Sequence, residues 1–374
     1  MQFTPEQDRA LQAVTRWLTS GDSQVFRLFG YAGTGKTTLA RHIANDIDGD
    51  VLFAAFTGKA AMVLRSRGAR KASTIHSLIY RPRGEDVTED EDTGRSQVVP
   101  QFTLNRSSPV SDAALVVIDE CSMVDEELGR DLLSFGTPVL VLGDPGQLPP
   151  VSGGGFFTDA EPDFLLEEIH RQARDNPIVE LARQVRAGER LEYGTFGESR
   201  VINRKDVVQD EVLRADQVLV GTNRNRRRYN TRLRELKGFE DALPAAGDKL
   251  VALRNDQSKG LLNGSLWRVS SAGRSSKPFM NLMVRSDDEG LERTSVKIKV
   301  LKLAFEQPEV EIPWQQKRRY DDFDYGYALT VHKAQGSQWN DVYLFNESFA
   351  FREHPERWLY TAVTRAAERI TIVQ

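Results

Sequence analysis

Gly30-Tyr31-Ala32-Gly33-Thr34-Gly35-Lys36-Thr37 is the stretch on which the fold turns. It lies between the apolar run 24–29, which reads as a buried strand, and residues 38–45, which can begin a helix. The glycines allow a turn whose amides point inward, and the positive end of the helix dipole would face a phosphate. Lys36 would reach the β- and γ-phosphates and Thr37 would hold magnesium, with Gly33, Thr34, Gly35 and Thr38 completing the cradle. A nucleoside triphosphate is the expected ligand. A chance match, or a loop for another anion, is disfavoured because strand and helix both fall in register.

Working outward, apolar branched runs recur at 51–56, 115–118, 139–142, 218–220, 342–345 and 370–373. Helix-like segments at 6–18, 59–67 and 178–187 separate them, a rhythm that predicts parallel strands with helices on both faces. The fold class expected is α/β with two parallel-sheet domains, 1–160 and 161–374. Two stretches break the rhythm. Residues 81–110 are polar, with an alternating piece at 98–104 that predicts a β-hairpin or a mobile loop inserted in the first domain. From 241 to 316, short strands at 249–253, 265–269, 280–284 and 295–301 alternate with turns such as Asn263-Gly264, which predicts a small β-barrel inserted in the second.

At 374 residues and 40% hydrophobic content, the chain is long enough for two or three packed domains. Its lone cysteine, Cys121, excludes an intramolecular disulfide framework and is expected as a packed thiol in a reducing compartment. No apolar run approaches bilayer length and the first residues lack a secretory pattern, so a soluble cytoplasmic protein without a membrane partner is expected. With residues 370–373 read as the last strand, no nuclease or targeting module is expected either. The net charge of −4 argues against general nucleic-acid coating but leaves room for a local basic groove. Arg224, Arg226, Arg227, Arg228, Arg232, Arg234 and Lys237 are spaced for a helix that is either a solvated face or a phosphate-contacting one.

A second chemical signal is Val116-Val117-Ile118-Asp119-Glu120, an apolar strand that delivers two carboxylates at its C-terminal end, where open α/β sheets bind ligands. Behind a phosphate loop, Asp119 would hold the metal and Glu120 would orient and polarise the attacking water. The bland reading is an acidic turn after a core strand.

These residues together carry a resemblance that covers nearly the whole chain. It resembles the superfamily 1 DNA helicases of the RecD and Dda-like branch, superfamily 1B. Residues 30–37 are similar to motif I of that family, Phe56-Thr57-Gly58-Lys59-Ala60-Ala61 to motif Ia, and Ser73-Thr74-Ile75-His76-Ser77-Leu78 to the segment that follows it. Asp119-Glu120 resembles motif II, and Leu142-Gly143-Asp144-Pro145-Gly146-Gln147-Leu148-Pro149-Pro150 resembles motif III. Glu168-Ile169-His170-Arg171-Gln172 resembles the motif that supplies an arginine from the second motor domain. Ala328-Leu329-Thr330-Val331-His332-Lys333-Ala334-Gln335-Gly336-Ser337 resembles motif V, and Tyr360-Thr361-Ala362-Val363-Thr364-Arg365-Ala366 resembles motif VI. Gln338 departs from the pattern, since family members often carry an acid there.

The resemblance implies two RecA-like motor domains, a pin-like hairpin in the first and an SH3-like barrel in the second. It implies ATP and Mg²⁺ as cofactors and single-stranded DNA and duplex forks as partners, with 5′ to 3′ polarity. The chain would work as a monomer, alone or with replication or recombination proteins. Gln7 would read adenine, Gln147 would contact the γ-phosphate or water, Gly336 would border the nucleotide, and Arg171 and Arg365 would stabilise charge on the transferring phosphoryl group. Thr57, Lys59, Thr74, His76, Thr330, His332 and Asn263 would contact DNA. For the threonines, helix capping is the competing reading. Phe102, an aromatic in a polar hairpin, is the candidate wedge at a duplex fork. The alternatives are a P-loop ATPase of another class that unwinds nothing, a non-enzymatic DNA-binding module, or an RNA helicase.

Overall fold

The computed structural model of the chain describes residues 3–69, 71–89, 96–149, 155–168, 176–256, 258–288 and 295–374. Its contacts divide it into two compact units, the first made of Met1–Tyr80, Leu104–Gly221 and Ala334–Gln374, the second of Arg81–Thr103 and Thr222–Lys333.

In chain order the elements begin with α1 (Pro5–Ser20), β1 (Val25–Gly30), α2 (Lys36–Asn45), β2 (Val51–Ala55), α3 (Gly58–Ser66), β3 (Ser73–Thr74) and α4 (Ile75–Ile79). There follow β4 (Tyr80–Glu89), β5 (Ser96–Leu104), β6 (Leu115–Asp119), α5 (Glu126–Leu133), β7 (Val139–Gly143) and β8 (Phe164–Leu166). The first sheet has the order β3-β2-β6-β7-β1-β8, and each of its pairings is parallel. β7 is buried at every position and β6 at all but Asp119, because successive side chains serve opposite faces. Val116, Ile118, Val139 and Val141 pack with Ile75, Leu128 and Leu132, whereas Leu115, Val117, Leu140 and Leu142 pack with Val14, Leu39 and Ile43. Helices on both sides therefore explain the unbroken apolar runs. Each such side chain contributes about 1.5–3 kcal/mol by leaving water.

Local signals set the helix ends. Thr4 and Gln7 form a reciprocal capping box at the start of α1, Pro5 occupies the first turn, and Gly21 closes the helix with φ 67°. Cys121 is buried in this first core, and burial pushes its thiol up, so it is a packed thiol.

The first unit continues with α6 (Pro177–Arg186), β9 (Gly194–Phe196), β10 (Ser199–Ile202), α7 (Gln209–Arg214) and β11 (Gln217–Val220). The second unit contributes α8 (Asn223–Leu236), β12 (Lys249–Ala252), β13 (Leu266–Ser276), β14 (Phe279–Ser286), β15 (Ser295–Leu301), β16 (Phe323–Tyr325) and β17 (Ala328–Thr330). The chain then returns to the first unit through β18 (Trp339–Phe345), α9 (Pro355–Val363) and β19 (Ala366–Val373). Within that unit the second sheet runs β11-β18-β19-β10-β9, parallel except for the β9/β10 hairpin. The mixed α/β architecture with parallel sheets is the one the apolar runs predict.

The second unit is different in kind. Its five-stranded sheet, β15-β14-β13-β12-β16, is antiparallel at every pairing. β16 follows residue 316 and was not among the strands expected from sequence. The Asn263-Gly264 turn leads into β13 with Gly264 at φ 85°, and the Gly264 amide donates to Ala252 O (2.8 Å). β4 and β5 form a two-stranded sheet. Among the described residues no helix is long and apolar enough to cross a membrane.

Candidate active site

The site lies at the C-terminal ends of β1, β6 and β7, within the first unit. β1 ends in Gly30, where a Cβ would lie 2.7 Å from Thr34 Oγ1 and 2.8 Å from Leu166, so only glycine lets the loop turn so tightly. Gly33 and Gly35 take φ 81° and 86°, and Gly35 serves as N-cap of α2. The result is an N-terminal helix turn whose amides are available to an anion. Lys36 Nζ donates to the carbonyl oxygens of Gly30 and Tyr31, the latter at 3.0 Å.

Thr37 and Asp119 lie together, with Thr37 Oγ1 donating to Asp119 Oδ2 at 3.1 Å. Burial and the neighbouring Glu120 charge push the Asp119 carboxyl up, while the Glu120 amide, Lys36 and Thr37 act in the opposite sense. Glu120 is the one non-glycine residue with positive φ among the described residues, at 53°. That left-handed conformation turns the chain sharply after β6 and costs on the order of 1–2 kcal/mol.

The facing wall comes from later in the chain. Arg365 is 4% exposed, and its guanidinium donates to Thr361 O (3.1 Å), Ser337 O (3.2 Å) and Thr364 Oγ1 (3.3 Å). Its Nη1 lies 3.9 Å from Glu120 Oε1. Between these walls is a cavity of about 550 Å³ whose lining includes Gln7, Lys36, Thr37, Asp119, Gln147 and Arg365. Gly33, Gly35, Thr38 and Gly336 also border it. Thr34 is fully buried behind the loop, bonded to Tyr31 O (2.8 Å).

Two amides tie the loop to its surroundings. Gln7 Nε2 donates to Thr34 O (3.0 Å) while its Oε1 accepts from the Thr4 amide (3.1 Å), leaving one N–H and one lone pair for a ligand. Gln147 is 8% exposed, and its Oε1 is buried with no hydrogen-bond partner among the described residues. A buried acceptor of that kind fits a ligand that brings a donor.

Residues 2–204 match the family model described as an AAA domain, more than half of the chain, and residues 325–373 match that of the UvrD-like helicase C-terminal domain. The chain belongs to the AAA-domain family. Among its relatives is the ATP-dependent RecD2 DNA helicase of Deinococcus radiodurans, 28% identical across 91% of this chain and 46% of that protein. Another is the conjugal transfer protein TraA of Rhizobium radiobacter, 26% identical across 99% of this chain and 32% of that protein. The RecBCD enzyme subunit RecD of Mycobacterium tuberculosis is 27% identical, across 92% and 66% respectively. The chain thus spans less than half the length of the first two of these curated relatives. The solved Pif1 helicase from Bacteroides in complex with ADP-AlF3 and ssDNA shares the fold, with a TM-score of 0.57 and 19% identity over 99% of this chain and 92% of that one. Pif1 helicase from Candida albicans gives 0.56 at 17% identity, over 100% and 94%.

The other expected site residues fall in several places. Arg171 lies outside the described residues. Thr57 and Thr74 are N-caps, accepting from the amides of Ala60 and Ser77 at 3.1 Å each. Lys59 is 4% exposed, its ammonium 4.6 Å from the centre of the Trp339 ring. His76 lies on α4 between the rings of Phe56 and Tyr80 (6.1 and 5.6 Å), and burial holds its pKa below the usual imidazole value. In the second unit, burial does the same to His332, Thr330 Oγ1 accepts from the Lys333 amide (3.3 Å), and Phe102 on β5 is 53% exposed. Gln338, at the position of the departure, borders the cavity and accepts from Arg67 Nη2 (2.9 Å).

Phe3, Asp144, Asn176 and Tyr360 are site residues that sequence reasoning missed. Phe3 and Asn176 border the cavity. Asp144 and Tyr360 stood inside quoted motifs, but nothing in their spacing indicated that they bond to each other (2.8 Å).

Proposed function

We propose that this chain is an ATP-dependent DNA helicase that translocates on single-stranded DNA, 5′ to 3′ by resemblance, and separates duplex ahead of it. The observation that carries this reading is the cavity in which Lys36, Asp119, Glu120 and Gln147 face Arg365 across a gap of nucleotide size. The likeness to the RecD2 DNA helicase supports it.

Among the described residues there is no cluster of three or more His, Cys, Asp or Glu side chains able to hold a metal. The Thr37 hydroxyl beside the Asp119 carboxylate instead fits Mg²⁺, an ion that takes one or two protein oxygens and completes its shell with water and phosphate. When bound, Mg²⁺ and ATP supply the phosphoryl group and neutralise charge on its oxygens. The chain does the rest. The amides of the 30–37 loop and Lys36 position the phosphates, Glu120 accepts a proton from an attacking water, and Arg365 presents its guanidinium to the developing charge. Arg171 is assigned the same task by resemblance.

In this reading, residues 1–160 and 161–374 are RecA-like motor domains, with a pin-type insert at about 81–110 and an SH3-like barrel at about 241–316. Their closure around ATP would drive movement along DNA through Thr57, Lys59, Thr74, His76, Asn263, Thr330 and His332, and Phe102 would act as a wedge. Replication, recombination or repair in the cytoplasm would suit such a motor, acting as a monomer.

The test is magnesium-dependent ATP hydrolysis with and without single-stranded DNA. We expect DNA to stimulate turnover and Lys36→Ala to lower it on the order of a hundredfold. Hydrolysis indifferent to nucleic acid would sink the helicase reading, and stimulation by RNA alone would redirect it. Tailed duplexes of each polarity then test direction.

A further inference from the structure

Tyr360 is 2% exposed, and both hydrogen-bonding functions of its phenol are used. Its oxygen accepts from the amide of Ala32 in the phosphate loop (2.9 Å), and its proton goes to Asp144 Oδ2 (2.8 Å) beyond the end of β7. The other carboxylate oxygen of Asp144 accepts from the Gly146 amide (2.9 Å). The ring fits because position 146 has no side chain, since a Cβ there would come within 2.9 Å of it. Two further bonds secure the same juncture, Leu148 N to Thr361 Oγ1 (2.9 Å) and Gln335 Nε2 to Leu148 O (3.1 Å).

We propose that Tyr360 is a positioning residue of the nucleotide site, whose phenol fixes the phosphate loop and Asp144 relative to the segment that delivers Arg365. This rests on the ATPase reading above. Arg365 lies five residues beyond Tyr360, past the end of α9, so the placement that sets its guanidinium 3.9 Å from Glu120 also seats the phenol on Ala32. Asp144 is buried, which pushes its carboxyl up, and the charge of Lys36 and the phenol's donated proton oppose that shift. Removing the hydroxyl therefore frees a loop amide and loosens a buried carboxylate in one step. Loss of a hydrogen bond to a charged group in such a site is worth about tenfold in an equilibrium or rate.

The experiment compares Tyr360→Phe, which keeps the ring against Gly146, with Trp358→Phe, which trims a buried ring on the same helix away from the loop. Single-stranded-DNA-stimulated kcat and KM are measured together with equilibrium affinities for ADP and for a non-hydrolysable ATP analogue. Tyr360→Phe is expected to lower kcat about tenfold and to weaken the ATP analogue more than ADP. Trp358→Phe, at an equal loss of melting temperature, is expected to leave both near wild type. Wild-type kcat and affinities in Tyr360→Phe, or equal losses in the two variants, would overturn the proposal. If Tyr360→Phe yields no folded protein, Asp144→Asn keeps an acceptor for the phenol while weakening the bond. It is expected to lower kcat at unchanged melting temperature, and wild-type kinetics there would equally overturn the proposal. Failure of the wild type to hydrolyse ATP would instead count against the function, because the nucleotide affinities still report on the loop.

Discussion

Arg365 shows how one side chain is held in place by the residues around it. Three of its N–H groups are bonded to Thr361, Ser337 and Thr364, so its rotamer is fixed, and it points toward Glu120. Arg365→Lys keeps the charge but loses the rigid fork, so we expect kcat to fall on the order of a hundredfold with a much smaller change in ATP affinity. Steady-state hydrolysis and equilibrium nucleotide binding separate the two effects, and an unchanged kcat would remove Arg365 from the chemistry. At this scale much of the site was legible, because Lys36, Thr37 and Asp119 belong to short contiguous patterns whose spacing encodes geometry. Tyr360 was not. Its partners Ala32 and Asp144 are separated from it by 328 and 216 positions, and contacts of that range leave no periodic trace in a sequence.

The basic helix α8 illustrates what an element hides. Its arginines read as either solvated or phosphate-contacting, and the structure adds a third role inside the second unit. Arg226 pairs with Asp324 (2.7 Å), and Arg234, 5% exposed, makes a two-pronged pair with Asp248 (2.8 and 2.9 Å). Arg234 also donates to the carbonyls of Asp241 (2.7 Å) and Leu243 (3.1 Å) and lies over the Tyr325 ring at 4.2 Å. Arg224, Arg228 and Arg232 do face solvent. The acids that pair with Arg226 and Arg234 are supplied from outside the helix, so helical spacing alone could not assign them. Arg234→Ala would strand Asp248, which is fully buried, and should destabilise the second unit by about 3–5 kcal/mol, read as a lower denaturant midpoint. A midpoint within error of wild type would mean that Asp248 is satisfied without it. Strand length limited the sequence reading in a similar way. β6 and β7 have five residues each, apolar except for Asp119, and were read to within one residue. β8, β9 and β16 have three residues each, too few to show a period.

On the scale of the whole chain, most of the segments that interrupt the α/β rhythm, 81–103 and 241–316, fall in the second unit. One of them, Arg81–Thr103, leaves and rejoins the first unit at a closed neck, where the Asn105 amide donates to Ile79 O at 2.7 Å. Because that bond lies outside the insert, the first unit does not need residues 81–103 to close its own chain, and a short flexible loop across the neck adds little closure entropy. The cavity bordered by Lys36 and Arg365 draws its lining from the first unit alone. If β4 and β5 with Phe102 act as a wedge, hydrolysis and strand separation are separable by surgery. We therefore expect a chain in which residues 81–103 are replaced by a short Gly-Ser linker to keep DNA-stimulated hydrolysis within about twofold of wild type, while duplex unwound per ATP falls at least tenfold. Phe102→Ala should reproduce part of that loss without any change in the fold, since its side chain is half exposed. Unwinding per ATP that survives both changes would take the wedge role away from this hairpin and leave strand separation to the motor's other DNA contacts.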